Sequence, residues 1–128
     1  MLFKETACTV ADNSGALWVK LFHLYGGWRR RSSSVGNFLK ASARVVLPPK
    51  RGFHKYKYKP VRRGFIYKCV AVRINHQDKR PDGSILHWRK NDVILLSRRQ
   101  FLHSTKLFGF CSWSMRYLKF FSLFDVIF

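Results

Sequence analysis

Turn-forming residues cut this chain into short apolar runs without helical periodicity, and that segmentation restricts the fold more than any other feature. The first break is Asp12-Asn13-Ser14-Gly15, which follows a short apolar strand ending near Thr9-Val10-Ala11. Its short polar side chains hydrogen-bond to nearby backbone, and its glycine tolerates positive φ. Residues 17–25 are mostly bulky or β-branched and stop at Gly26-Gly27. Order restarts at Val35-Gly36, and residues 38–47 read as a strand that Pro48-Pro49 ends. Gly64 opens a strong strand over 65–74. Arg80-Pro81-Asp82-Gly83 is a turn with proline preset at its second position and glycine at its fourth. Residues 85–88 and 93–96 flank Asn91-Asp92 and read as a further hairpin. Five or six evenly spaced short strands with turn punctuation predict an all-β chain closed into a small barrel. Residues 112–117 read as a short helix, and no internal repeat is visible.

Charge then decides what such a barrel faces. The 128 residues carry 25 Lys and Arg against six scattered acids, a formal charge of +19. A compact surface of that kind repels itself, so a polyanionic partner is expected, nucleic acid before an anionic membrane. The length suits one domain over 1–128, and 47% apolar residues exclude plain disorder. No run approaches the roughly 18–20 apolar residues of a transmembrane helix. The greasy tail 117–128 is short and is interrupted by Lys119 and Asp125. The N-terminus shows neither a long apolar signal region nor an extended Arg/Ser-rich transit segment. The expectation is a soluble or assembled protein with no membrane insertion.

The cations interleave with aromatics. Trp28-Arg29-Arg30-Arg31 opens a basic loop that runs into Ser32-Ser33-Ser34. In 50–63, seven of fourteen residues are Lys or Arg and none is acidic. Lys55-Tyr56-Lys57-Tyr58-Lys59 alternates strictly, which on a strand places lysines on one face and tyrosines on the other. That segment reads as an arm of a projecting β-ribbon, closed by Pro60. Lys and Arg neutralise phosphates and release counterions, while aromatic rings stack on unpaired bases. The candidate RNA contacts are therefore Trp28, Arg29, Arg30, Arg31, Lys50, Arg51, Lys55, Tyr56, Lys57, Tyr58, Lys59, Arg62, Arg63, Lys79, Arg80, Arg89, Arg98 and Arg99. The bland alternative is a solvated, solubilising face, but such faces mix both signs.

Chemistry-bearing constellations are missing. Cys8, Cys69 and Cys111 stand far apart, without the paired spacing of zinc ligands, and read as buried free thiols in a reducing compartment. The five histidines (His23, His54, His76, His87, His103) never approach metal-ligand spacing. Asp12, Ser14, His23 and His87 have no nucleophile elbow to make a hydrolase triad. Gly26-Gly27 is not followed by a phosphate-binding loop pattern. Neither catalysis, metal nor cofactor is expected.

Taken in order, Thr9-Val10-Ala11-Asp12-Asn13-Ser14-Gly15-Ala16, Gly26-Gly27, Arg29-Arg30, Val35-Gly36, Ala71-Val72-Arg73, Arg80-Pro81-Asp82-Gly83-Ser84 and Phe108-Gly109 closely resemble the universal large-subunit ribosomal protein 14 family. The resemblance runs from about Glu5 to Leu123. It implies a five-stranded barrel with a protruding β-ribbon and a short helical C-terminal portion over 110–128. It also implies binding to large-subunit rRNA, a bridge to small-subunit rRNA, and contact with bacterial-type protein 19 and protein 3. A ribosome-silencing factor docks on the family near the positions of Thr105, Lys106 and Lys119. Thr105 and Lys119 match the family pattern, while Lys106 replaces its arginine and loses the fork geometry. The chain departs from the family in a longer 49–63 stretch, in Phe110 where the family has proline, and in a shortened segment after it. Extra charge, abundant Phe and loosened motifs fit a fast-drifting organellar copy in the mitochondrial matrix, with another organelle or the bacterial cytoplasm as alternatives. The resulting expectation is a structural, non-enzymatic ribosomal constituent; the alternative is a free single-stranded RNA-binding barrel.

Overall fold

The computed structural model describes residues 1–48, 60–97, 100–112, 114–115 and 126–127. Chain order among them begins β1 (Leu2–Phe3), β2 (Ala7–Val10), β3 (Ala16–Leu24), β4 (Ser32–Ser33), β5 (Phe38–Val46) and β6 (Ile66–Arg73). It continues with β7 (Gln77–Lys79), β8 (Ile85–His87), β9 (Asp92–Leu96), β10 (Lys106–Leu107) and β11 (Val126–Ile127). Strands β2, β3, β5, β6 and β9 close into a barrel in that order. Four of the contacts are antiparallel, whereas the seam is sealed by a parallel pairing of β2 with β9, Thr9 opposite Asp92 and Val10 opposite Val93. Closure leaves these strands without a free edge.

Alternation along the strands separates two cores. Inward side chains include Cys8, Val19, Leu21, Leu39, Ala41, Ala43, Cys69, Ala71, Val93 and Leu95, which fill the barrel. Small alanines suit so narrow an interior, where larger side chains would overpack it. The outward residues Val70 and Val72 of β6 and Ile94 and Leu96 of β9 are equally buried, because Ala11, Leu102, Leu107 and Met115 cover them. Strand β9 is therefore buried along all five residues. A continuous apolar run is the sequence form of a strand covered on both faces.

Predicted strands over 17–25, 38–47, 65–74 and 93–96 correspond to β3, β5, β6 and β9. The hairpin expected around Asn91-Asp92 is not formed. Strand β8 pairs with β7 instead, Asp78 opposite Leu86, and β9 pairs with β6 and β2. The turn at Arg80-Pro81-Asp82-Gly83 decides this: Gly83 N–H donates to Arg80 O at 3.0 Å and Arg80 N–H to Ser84 O at 2.9 Å. Asp82 Oδ1 also accepts from Ser84 N at 2.9 Å. These local bonds claim β8 for the strand immediately before it, leaving β9's apolar faces for the barrel. Of the expected basic ribbon only 60–63 is described, and it is not strand; the rest lies outside the described residues. In the C-terminal portion Met115 N–H donates to Ser112 O at 3.0 Å, and β11 runs parallel to β10, a pairing the sequence did not suggest. No helix among the described residues is long and apolar enough to cross a membrane.

Candidate RNA-binding surface

The short pairing of β1 with β4, Leu2 opposite Ser33 and Phe3 opposite Ser32, brings Lys4 beside the basic loop that precedes β4. Lys4, Trp28, Arg29, Arg30 and Arg31 line an open cleft of about 620 Å³, with no carboxylate among the described residues that line it. Trp28 is 94% exposed, so the large apolar area of its indole is left in water. Arg29 and Arg31 are exposed as well. Arg30 differs. Its Nε donates to Ser32 O at 3.1 Å, and its Nη2 lies 2.6 Å from the Asn37 side-chain amide, oriented so that the amide oxygen accepts. Arg30 also lies across Gly26, whose φ of +115° and missing Cβ make room for it. It shapes the loop that presents Trp28, while Arg29 and Arg31 face outward.

The remaining sequence candidates are spread over the surface. Lys79 and Arg80 line a second cleft of about 320 Å³ with Ser34, Pro81, Leu86 and Asp78. Arg89 is exposed in the connection before β9. Arg62 and Arg63 are exposed at the turn leading into β6, where Arg62 N–H donates to Tyr67 Oη at 3.0 Å. Lys50, Arg51, Lys55, Tyr56, Lys57, Tyr58, Lys59, Arg98, Arg99 and Lys119 lie outside the described residues.

Two groups were missed by the sequence reading. Lys4 joins the first cleft only through the β1–β4 pairing. On the outer barrel wall, register places His23 beside Lys40 and Lys40 beside Lys68. Lys40 Nζ and Lys68 Nζ sit 5.7 and 5.2 Å from the centre of the Tyr25 ring, and Lys68 Nζ is 4.3 Å from that of Phe38. His23 meets Tyr25 edge-on at 5.1 Å. The single lysines of β5 and β6, each within an apolar run, were the available signal, but only pairing shows that they are neighbours.

Buried polar groups hold the surface in shape. Asp12 accepts from Ser14 N at 2.9 Å through Oδ1 and from Leu95 N at 2.8 Å through Oδ2. Asn13 Oδ1 accepts from Thr105 N at 3.2 Å and Lys106 N at 3.1 Å. The Asp12-Asn13 turn thus ties β9 and the 105–106 segment to the barrel; Asp12 is structural, and His23 and His87 are exposed. Arg73 Nε forms an ion pair with Asp92 Oδ2 at 2.7 Å, and Thr9 Oγ1 donates to Asp92 Oδ1. Arg73 Nη2 donates to Phe108 O at 2.9 Å and Nη1 to Phe110 O at 3.2 Å, which fastens the chain beyond β10 to the wall. Cys8 and Cys69 are buried free thiols and Cys111 is half-buried. Burial pushes the Cys8 thiol up to about 12 and that of Cys69 upward for the same reason. Among the described residues, no group of three or more metal-ligating side chains comes together.

A closed five-stranded barrel in a chain of formal charge +19, carrying an unburied tryptophan among arginines, defines a small basic β-barrel protein. The comparison with known families narrows this class. The family model for ribosomal protein L14p/L23e matches residues 1–126, and the chain belongs to that family. It is accordingly a structural protein of the large ribosomal subunit, from a family that is structural rather than enzymatic.

Proposed function

We propose that the chain binds large-subunit rRNA directly, with the Trp28 cleft as a principal contact. The observation that carries this reading is an indole 94% exposed among outward-facing Arg29, Arg31 and Lys4, in a cleft that no carboxylate lines among the described residues. An aromatic plane between cations suits an unpaired base with its flanking phosphates. Arg62, Arg63, Lys79, Arg80 and Arg89 add phosphate contacts around it, together with the basic segment 50–59, Arg98 and Arg99. In the assembled subunit the chain touches bacterial-type protein 19 and protein 3 and contributes to a bridge with small-subunit rRNA. Thr105 and Lys106, held in shape by Asn13, with Lys119, form the surface for a ribosome-silencing factor. The ribosome concerned is mitochondrial, in keeping with the heavy charge and the loosened motifs.

The test is the salt dependence of binding to purified large-subunit rRNA. Replacing Arg29 and Arg31 together by Gln lowers the slope of log K against log salt by about 1.4–1.8, one counterion per lost phosphate contact. Arg30→Gln acts instead on the thermal stability of the loop. An unchanged slope in the double variant removes the cleft from the interface. The alternative, a free single-stranded RNA-binding barrel, is separated by sedimentation: a free binder leaves the large subunit in moderate salt, and a constituent stays with it.

A further inference from the structure

Among the described residues, every carboxylate is already engaged, and the one that reaches the β3–β5–β6 wall, Glu5, is taken up by Lys20 of β3. Glu5 pairs with Lys20 at 2.5 Å, Asp92 with Arg73, and Asp12 lies buried against Leu95. Asp78 accepts from Ser112 Oγ, and Asp82 is taken up by its own turn. Lys40 and Lys68 nevertheless face each other directly across β5 and β6, with His23 next in the row. Like charges directly opposite on neighbouring strands destabilise a sheet. Both ammonium groups hover over one Tyr25 ring, which satisfies part of their field but cannot neutralise them. Phe38 stiffens Lys68 from below. Two lysines over a shared aromatic ring, with no unengaged acid beside them among the described residues, make a site suited to an anion lying between them.

We infer that the Lys40–Lys68 row, floored by Tyr25 and Phe38, grips a backbone phosphate of RNA. The proposal rests on the RNA-binding reading above and adds to it a site on the barrel wall, distinct from the Trp28 cleft. A phosphodiester suits a pair of lysines opposite each other because it offers one oxygen to each ammonium, and compact, strongly hydrated lysine charges take phosphate as point charges. With the anion in place the cross-strand repulsion becomes attraction, so the wall is stabilised by assembly and strained without it.

The experiment uses the full-length chain and purified large-subunit rRNA. Lys40→Gln and Lys68→Gln each lower the salt slope by about 0.7–0.9, and Lys68→Arg keeps it. In the RNA-free chain Lys40→Gln raises Tm by about 1–3 °C, since it removes the repulsion at little cost to packing. Replacing chloride by inorganic phosphate at matched ionic strength raises the Tm of the parent chain, and Lys40→Gln loses most of that gain while Lys20→Gln, whose charge Glu5 already takes up, retains it. Unchanged salt slopes in both Gln variants, or a Tm that falls in Lys40→Gln and responds to phosphate as the parent does, overturns the site. Should the parent chain itself bind this rRNA without salt dependence, the underlying RNA-binding reading fails instead.

Discussion

Arg73→Met is the perturbation with the largest consequence. The Arg73 and Asp92 side chains are only 14% and 12% exposed, so solvent does little to screen their ion pair. Methionine keeps the length and the apolar stem while removing the charge. It removes the cation from buried Asp92, to which among the described residues Thr9 Oγ1 remains a side-chain donor, and leaves the carbonyls of Phe108 and Phe110 without their guanidinium donors. Breaking a buried pair from one side costs about 3–5 kcal/mol, most of it the uncompensated charge. The double variant Arg73→Met with Asp92→Asn removes that charge, and it is expected to recover about 1–2 kcal/mol of the loss. Urea denaturation of the four proteins of this cycle gives the coupling, and hydrogen exchange at Phe108, whose N–H donates to Ala11 O at 2.8 Å, reports detachment of the chain beyond β10. Gly109→Ala checks the same clamp independently. A Cβ at Gly109 would overlap Arg73 Nη1, and its φ of +82° disfavours alanine, so this variant also loosens the segment. A loss below about 1 kcal/mol in Arg73→Met, or strict additivity in the cycle, refutes the view that one buried guanidinium holds this segment to the barrel.

Two further outcomes follow from the core. Ile94→Ala, on the outer face of β9 beneath Leu102, Leu107 and Met115, is expected to cost about 2–5 kcal/mol by denaturant titration, comparable to Leu95→Ala inside the barrel. A cost under 1 kcal/mol would show that the cover over that face is loose. Cys8 retains its proton in the folded chain up to about 12, whereas in the unfolded chain it ionises near its ordinary 9. Above pH 9 the unfolded state therefore binds fewer protons, and stability falls as pH rises, by up to about 1.4 kcal/mol per pH unit for this thiol. The stability difference between the parent and Cys8→Ala should shift against the parent over that range, and a pH-independent difference contradicts the burial argument.

What was legible in the sequence is what local chemistry controls. Glycine, proline and short polar side chains marked the turns at 12–15, 26–27 and 80–83, and the apolar runs between them became β3, β5, β6 and β9. The imbalance of 25 cations against six acids, read with the A-D-N-S-G-A and R-P-D-G-S motifs, pointed to the family that matches residues 1–126. The hairpin expected at Asn91-Asp92 does not form because the stronger local turn at Arg80-Pro81-Asp82-Gly83 already claims β8 for β7. Arg29, Arg30 and Arg31 look equivalent in sequence, yet only Arg30 finds Ser32 O and Asn37 within reach.

Alternation with period two says which face a side chain occupies, and Lys40 and Lys68 alternate with the buried Leu39, Ala41 and Cys69 of the barrel interior. It says nothing about which residue of another strand stands opposite. That is set by closure, by bulges such as the register shifts along β3 and β5, and by buried ties like Asp12 to Leu95 across 83 positions. Strand identity, turns and charge were thus determined by the sequence locally. The parallel seam of β2 and β9, the Arg73–Asp92 clamp and the paired lysines exist only because long-range pairing brings distant residues to one register, and no local signal encodes that choice.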